Sequence, residues 1–134
     1  MHVRDMLKTH PTAGDWSLQP IVDCVSACYA CDQSCTSCAD ACLAEPNVAD
    51  LRRCISLNLD CADVCAATGA LATRLTEGDS RVLVAQLRAC VQACSACADE
   101  CEMHAGHMEH CRVCATACRE CERACEGLLA GLEA

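Results

Sequence analysis

The sequence has no phenylalanine, one tryptophan and one tyrosine among its 134 residues. A chain of this length is expected to form one compact domain, whose core normally contains large aliphatic and aromatic side chains. Aromatic side chains therefore contribute little to this core. The chain has 18 cysteines instead, and cysteine is among the residue types most often buried. We expect cysteine to occupy many of the core positions.

Basic residues are also scarce, with 10 Lys and Arg against 19 Asp and Glu and a formal net charge of −9. Nucleic acids and anionic membrane surfaces are bound through clusters of Lys and Arg, so neither is predicted as a partner. No stretch contains eighteen uninterrupted apolar residues. A transmembrane helix is therefore not predicted either.

The N-terminal segment MHVRDMLKTHPTAGDWSLQP lacks an apolar signal region, a twin arginine and a small-residue cleavage site. The sequence therefore predicts a cytoplasmic protein. Cytoplasmic thiols are kept reduced, so dense cysteines in that compartment indicate metal binding or redox chemistry more than a disulfide scaffold.

Helix-breaking Gly and Pro residues and capping residues predict four helices, at about residues 18–43, 48–75, 81–104 and 108–130. No segment alternates with a period of two, so no strand is predicted. Short connections make neighbouring helices antiparallel, and the expected fold is all-α, an up-down-up-down antiparallel four-helix bundle. Residues 18–134 would form this cysteine-rich bundle.

The predicted helices also have predicted ends. Asn47 is a candidate N-cap, Gly78 a breaker, and Asp79 or Ser80 the next cap. Residues 1–17 precede the bundle as an N-terminal arm, for which a short helix packed on the bundle is one interpretation.

The cysteines recur at spacings of three and four residues within each predicted helix, which places them on one helical face. The rows are Cys24, Cys28, Cys31, Cys35, Cys38 and Cys42; Cys54, Cys61 and Cys65; Cys90, Cys94, Cys97 and Cys101; and Cys111, Cys114, Cys118, Cys121 and Cys125. In the second row, Asn58 stands at the one position of the spacing that lacks a cysteine. Two interpretations of Asn58 stay open, a hydrogen-bonded core amide and an oxygen ligand. The four rows predict a bundle axis lined with sulfur.

Several functions for such an axis can be compared. A purely structural role, with cysteine as a small apolar core residue, is disfavoured because so many of these residues could be oxidised. Disulfides along one helix are disfavoured, because side chains three or four residues apart have Cβ atoms about 5–6 Å apart and a disulfide needs about 3.5–4.5 Å. Thioredoxin-like chemistry uses one CxxC pair on a sheet scaffold. A metal bridging several thiolates fits the pattern best.

Soft thiolates select Cu(I), Zn(II) or iron–sulfur clusters. Four thiolates on one Zn(II) leave a net charge of −2, and several such sites would accumulate buried negative charge. One Cu(I) per thiolate is neutral, so the pattern favours Cu(I), with Zn(II) or Cd(II) as the alternative.

One end of the bundle is rich in other soft ligands. The segment CEMHAGHMEHC contains His104, Met108 and His110 next to the thiol rows, and these are the predicted metal-entry residues. His107 and Met103 are weaker candidates. At the opposite end the rows continue into aliphatic residues, so that end is predicted to be closed.

The heptad-spaced cysteine rows, the short loops and the His/Met turn resemble the bacterial copper storage protein family, cytosolic type, over about residues 18–130. The resemblance implies a homotetramer of four-helix bundles and a storage role without enzymatic activity. It implies many Cu(I) ions bound along the core, with entry at the His/Met end. The ligands it implies are the 18 cysteines with His104, Met108 and His110, and Asn58 as a further candidate. The donor and the acceptor of the copper are not identified.

Two rival functions make different predictions. A metallothionein-like protein for Zn or Cd detoxification would bind roughly one divalent ion per four cysteines. A thiol redox buffer would form reversible interhelical disulfides and bind no metal tightly.

Overall fold

The computed structural model describes residues 1–76 and 79–133, and the helical elements within them account for the fold. The α-helices are α1 (Val3–Lys8), α2 (Leu18–Leu43), α3 (Arg52–Ala72), α4 (Ser80–His104) and α5 (Glu109–Glu133). Short 3₁₀ turns at Ala13–Asp15 and Val48–Leu51 precede α2 and α3. The described residues contain no strand, and the predicted all-α class is confirmed.

The second predicted helix differs most from the structure. It was expected over residues 48–75, but its first turn is the 3₁₀ segment Val48–Leu51 and its α-helical part ends at Ala72. Leu75 lies beyond the helix and is nevertheless buried, at 3% exposure. Leu75 therefore belongs to the core without being part of the helix.

The predicted caps have mixed outcomes. Asp79 is the N-cap of α4, and its carboxylate accepts a hydrogen bond from the Arg81 backbone N–H at 2.9 Å. Asn47 precedes the 3₁₀ turn, but its side chain makes no capping hydrogen bond. The predicted breaker Gly78 lies outside the described residues.

Contacts between thiols give the direction of neighbouring helices. Cys24 of α2 contacts Cys125 of α5, whereas Cys38, later in α2, contacts Cys111 near the start of α5. The order of contacts is reversed along the two helices, so α2 and α5 are antiparallel. The pairs Cys54–Cys101 and Cys65–Cys90 show the same reversal between α3 and α4.

Hydrocarbon fills the end of the bundle where α2 begins. The buried side chains there are Ile21, Ala72, Leu75, Leu87 and Leu128. This composition separates the thiols from solvent at that end.

The N-terminal arm lies against this end. Leu7 of α1 is 2% exposed and belongs to the core. Thr12 donates a hydrogen bond to the Leu75 carbonyl at 3.4 Å, and His10 Nε2 lies 3.2 Å from the Thr76 hydroxyl. The division between an arm of residues 1–17 and a bundle of residues 18–134 stays a prediction.

The stretch Val48–Ala72 is long and apolar enough to cross a membrane by length and composition, with a mean hydropathy of 1.2. The core helices of soluble proteins pass the same test, so one such helix is weak evidence for a membrane span. Cys54, Asn58 and Cys61 on this helix are fully buried between the helices. The absence of a membrane partner stays a prediction.

Replacing Gly69 tests how tightly α2 and α3 pack. A Cβ atom at Gly69 would lie 2.9 Å from Tyr29 Cε1, whereas one at Gly127 of α5 would meet nothing within 4 Å. Alanine gains about 1 kcal/mol over glycine in a helix, but overpacking costs about 1–3 kcal/mol. We expect Gly69→Ala to lower the free energy of unfolding by about 1 kcal/mol and Gly127→Ala to raise it by about 0.5–1 kcal/mol. Chemical denaturation of both variants measures this, and equal stabilisation by both would contradict the close α2–α3 approach.

Candidate metal centre

The thiols form one buried column along the bundle axis. All 18 cysteines are free and buried, and none is more than 2% exposed. This follows from their spacing, because residues three and four apart share the helical face that turns towards the other three helices. The predicted sulfur-lined axis is therefore present.

Neighbouring sulfur atoms in the column lie in van der Waals and weak hydrogen-bond contact. Their separations run from 3.6 Å, between Cys35 and Cys118, to 4.0 Å, between Cys24 and Cys28. A disulfide needs a sulfur–sulfur distance of about 2.05 Å. The column is therefore an array of separate thiols, held close together without covalent bonds.

Sets of four thiols have their sulfur atoms within 4.8 Å of one another. Five such sets are Cys28, Cys90, Cys121 and Cys125; Cys31, Cys65, Cys94 and Cys121; Cys31, Cys35, Cys61 and Cys118; Cys35, Cys97, Cys114 and Cys118; and Cys38, Cys42, Cys54 and Cys111. The first four sets are linked through shared members. Because one thiol belongs to two sets, metal ions in adjacent sets would share bridging sulfurs.

The spacing suits direct coordination of a soft cation. Metal–thiolate bonds of about 2.3 Å around a tetrahedral ion separate the sulfurs by about 3.8 Å, and a trigonal ion separates them by about 4.0 Å. The observed 3.6–4.0 Å contacts lie within about 0.2 Å of these separations. The column therefore has room for metal between thiolates without a large movement of the helices.

Asn58 lies between the fifth set and the rest of the column. Its side-chain oxygen accepts hydrogen bonds from the thiols of Cys97 at 3.0 Å, Cys114 at 3.3 Å and Cys101 at 3.6 Å. Its amide nitrogen donates to Cys54 Sγ at 3.7 Å. A hydrogen-bonded core amide is therefore one role that Asn58 fills in the structure.

Few other polar groups are buried near the thiols. Among the described residues, the buried polar or charged side chains are Asn58, Thr68 and Glu100. None of them is a cation. A set of four thiolates around Zn(II) would therefore keep its charge of −2 without a buried positive partner, and burying uncompensated charge is costly.

His110 is the predicted entry residue that contacts the thiols. Its Nδ1 atom lies 3.4 Å from Cys38 Sγ and 3.6 Å from Cys111 Sγ, at the outer end of the fifth set. Its Nε2 atom lies 3.2 Å from the Glu45 carboxylate, in the turn after α2. Glu45 has no signal in the spacing of the sequence, because its contact depends on two separate segments meeting at one end of the bundle.

His104 makes different contacts. Its Nε2 atom lies 2.9 Å from Glu100 Oε2, and the other oxygen of Glu100 lies 3.3 Å from Arg53 Nε. Glu100 was not singled out from the sequence either. The Arg53–Glu100–His104 cluster joins α3 to α4, so His104 has a structural partner besides any metal.

The remaining candidate entry residues at this end differ in how far they are buried. Met108 is 7% exposed and belongs to the core, whereas Met103 is 71% exposed. His107 is exposed in the turn between α4 and α5. The structure therefore brings His110 against the thiols, buries Met108 in the core and leaves Met103 and His107 exposed.

Thiols at this end differ in acidity. Burial is the largest influence on Cys42 and raises the pKa of its thiol to about 12. A hydrogen bond with Cys101 is the largest influence on Cys38, and with the smaller contribution of His110 it lowers the pKa of Cys38 to about 6. Burial alone would lower the pKa of His110, but hydrogen bonds to Cys38 and Glu45 outweigh it and the pKa is raised.

A sequence model of the copper storage protein family matches residues 17–130. The chain belongs to the copper storage protein family. The resemblance inferred from the cysteine rows is thereby confirmed.

Solved structures of similar proteins agree with this assignment. The chain is 54% identical to Ccsp, the copper storage protein of Streptomyces lividans, in a structure loaded with 10 copper equivalents, with a TM-score of 0.93 and coverage of 96% of this chain and 98% of the other. A five-copper structure of a cytosolic copper storage protein from the same organism is 57% identical, with a TM-score of 0.83 and coverage of 84% and 94%.

A curated relative is also similar. The uncharacterized cysteine-rich protein YhjQ of Bacillus subtilis is 36% identical over 92 residues, which covers 69% of this chain and 80% of YhjQ.

Removing the Asn58 amide tests its structural role. Asn58→Ala would leave a cavity and remove the acceptor of three thiol hydrogen bonds. We expect the free energy of unfolding of the reduced apo-protein to fall by about 2 kcal/mol. Gln33→Ala, which removes an exposed amide on α2, should change stability by less than about 0.5 kcal/mol. Denaturant titration compares the two, and equal stabilities would show that the Asn58 contacts contribute nothing.

Proposed function

We propose that this member of the copper storage protein family stores Cu(I) in the cytoplasm, at about one ion per cysteine along the thiol column. The observation that carries the proposal is the column of buried thiol sets, four of which are linked by shared members. Among residues 1–76 and 79–133 no buried side chain is a cation. In such an array Cu(I) and thiolate neutralise each other one to one. The cytosolic Streptomyces lividans protein, which has bound copper, supports the same compartment.

The proposed ligands are the 18 cysteines. His110 is proposed as an entry ligand because it lies beside Cys38. Met108 is proposed as another because it is buried in the core at the same end. His104 and Asn58 are proposed as secondary ligands, since each is engaged with protein partners that copper would have to displace. Imidazole and thioether exchange Cu(I) more readily than thiolate does, which suits an entry site.

In this proposal the burial of the thiols explains why the protein would store copper rather than catalyse a reaction. The thiols are at most 2% exposed, so a substrate other than a small ion has no access to them. Burial also protects thiolates from oxidation and slows exchange. Each of these properties favours retention of copper over rapid turnover.

We further propose a homotetramer, as the family resemblance implies. Leu43, Val48 and Leu59 are exposed aliphatic residues around one groove on the outside of α3, and contact between copies would cover them. Analytical ultracentrifugation at low concentration should give the mass of four chains, and a monomer mass would contradict this part of the proposal.

Competitive metal titration tests the proposed function. Reduced apo-protein is titrated with Cu(I) under anaerobic conditions against a chromophoric Cu(I) chelator, and in parallel with Zn(II). We expect the protein to outcompete the chelator until about one Cu(I) per cysteine is bound. Zn(II) should bind at fewer sites and more weakly, because charge accumulates at each four-thiolate site. Tight binding of about one Zn(II) per four cysteines, with Cu(I) saturating at a few ions, would favour the Zn/Cd detoxification function instead.

The two entry histidines should differ in their effect on loading. His110 faces Cys38, whereas His104 is held by Glu100. We expect His110→Ala to slow the initial uptake of Cu(I) about tenfold and His104→Ala to slow it about twofold or less, with final capacity unchanged to within about one or two ions. Stopped-flow transfer from a chromophoric Cu(I) complex measures both rates. A larger loss in His104→Ala would reverse the proposed order.

A further inference from the structure

Glu45 and His110 meet across two loops of the bundle. Glu45 lies in the turn after α2, while His110 lies in the first turn of α5, and their side chains are 31% and 26% exposed. The contact joins Glu45 Oε1 to His110 Nε2 at 3.2 Å. Both residues therefore lie at the boundary between solvent and the fifth thiol set.

The contact with Glu45 determines which ring nitrogen of His110 carries the hydrogen. A carboxylate accepts a hydrogen bond, so the neutral imidazole must carry its hydrogen on Nε2 to donate to Glu45. Nδ1 is then left with a free lone pair. That lone pair lies 3.4 Å from Cys38 Sγ and 3.6 Å from Cys111 Sγ.

A metal-binding histidine commonly donates its second ring N–H to a carboxylate, which fixes the tautomer and the orientation of the ring. The Cys38–His110–Glu45 series has this arrangement without the metal. Glu45 contacts none of the thiols in the hydrogen bonds described, so it acts through the imidazole.

We propose that Glu45 is a positioning residue for copper entry, which holds His110 Nδ1 towards Cys38 and Cys111 so that one Cu(I) ion can be captured between imidazole and thiol. The inference rests on the proposed copper storage function and adds a residue to it. Glu45 leaves the capacity of the column unchanged and accelerates its filling.

A second carboxylate at the same end provides a matched control. Glu109 is exposed and pairs with Arg112 rather than with a histidine. Glu109→Ala removes the same charge from the same end as Glu45→Ala. If the acidic residues acted only by attracting the cation, both variants would slow loading equally.

The test combines loading rates with the hydrogen bond itself. Initial Cu(I) uptake is measured by stopped flow for wild type, Glu45→Ala, Glu45→Gln, Glu109→Ala and the double variant Glu45→Ala/His110→Ala. We expect Glu45→Ala to load about tenfold more slowly, Glu45→Gln to stay within about threefold of wild type because its amide oxygen still accepts, and Glu109→Ala to match wild type. Glu45→Ala should cause no further slowing when His110 is already alanine.

Nuclear magnetic resonance of apo-protein with ¹⁵N-labelled histidine reports the imidazole directly, at a pH above its titration. We expect a protected Nε2–H proton of His110 in wild type and Glu45→Gln, and its loss by exchange in Glu45→Ala. A hydrogen on Nδ1 in wild type would overturn the inference, as would equal loading by wild type and Glu45→Ala. Equal slowing in Glu109→Ala would also overturn it. Failure of wild type to bind copper at all would instead refute the proposed storage function.

Discussion

The bundle depends on keeping most of its 18 buried thiols uncharged. Each lies at most 2% exposed, and a thiolate in such surroundings would lose most of its hydration. Protonated thiols avoid that cost, since they pack as small apolar groups at 3.6–4.0 Å and make weak hydrogen bonds with one another. A monovalent cation on each thiolate avoids it as well. The same column therefore accommodates either protons or Cu(I) without a change in its net charge.

This constraint also explains the few polar residues inside. Asn58 is neutral and satisfies four thiols at once, so it interrupts the sulfur array without introducing charge. At the end where α2 finishes, Glu45 and Glu100 each contact a histidine. The opposite end is closed by aliphatic side chains and by Leu7 of the arm. The two ends of the column therefore differ in the side chains that cover them.

Helical periodicity made most of the fold predictable from the sequence. Thiols spaced three and four residues apart can share a buried face only in helices, and Asn58 stood out because it occupies a slot of that row. The helix after Asn47 was less predictable, because its first turn is 3₁₀ and Leu75 leaves the helical path to close the end. Glu45 and Glu100 could not be found by spacing, since their roles depend on contacts between separate elements. For the same reason the sequence ranked His104 with His110, although only His110 is described in contact with the thiols.

Counting protons tests the neutral-column account most directly. Apo-protein at neutral pH is titrated with Cu(I), supplied anaerobically as its acetonitrile complex, while a pH-stat records the protons released. The account predicts about one proton per Cu(I), continuing until the 18 cysteines are matched by about as many ions. Release of about two protons per Cu(I), with saturation near half that number of ions, would mean that the core holds anionic bis-thiolate sites, and it would contradict the account.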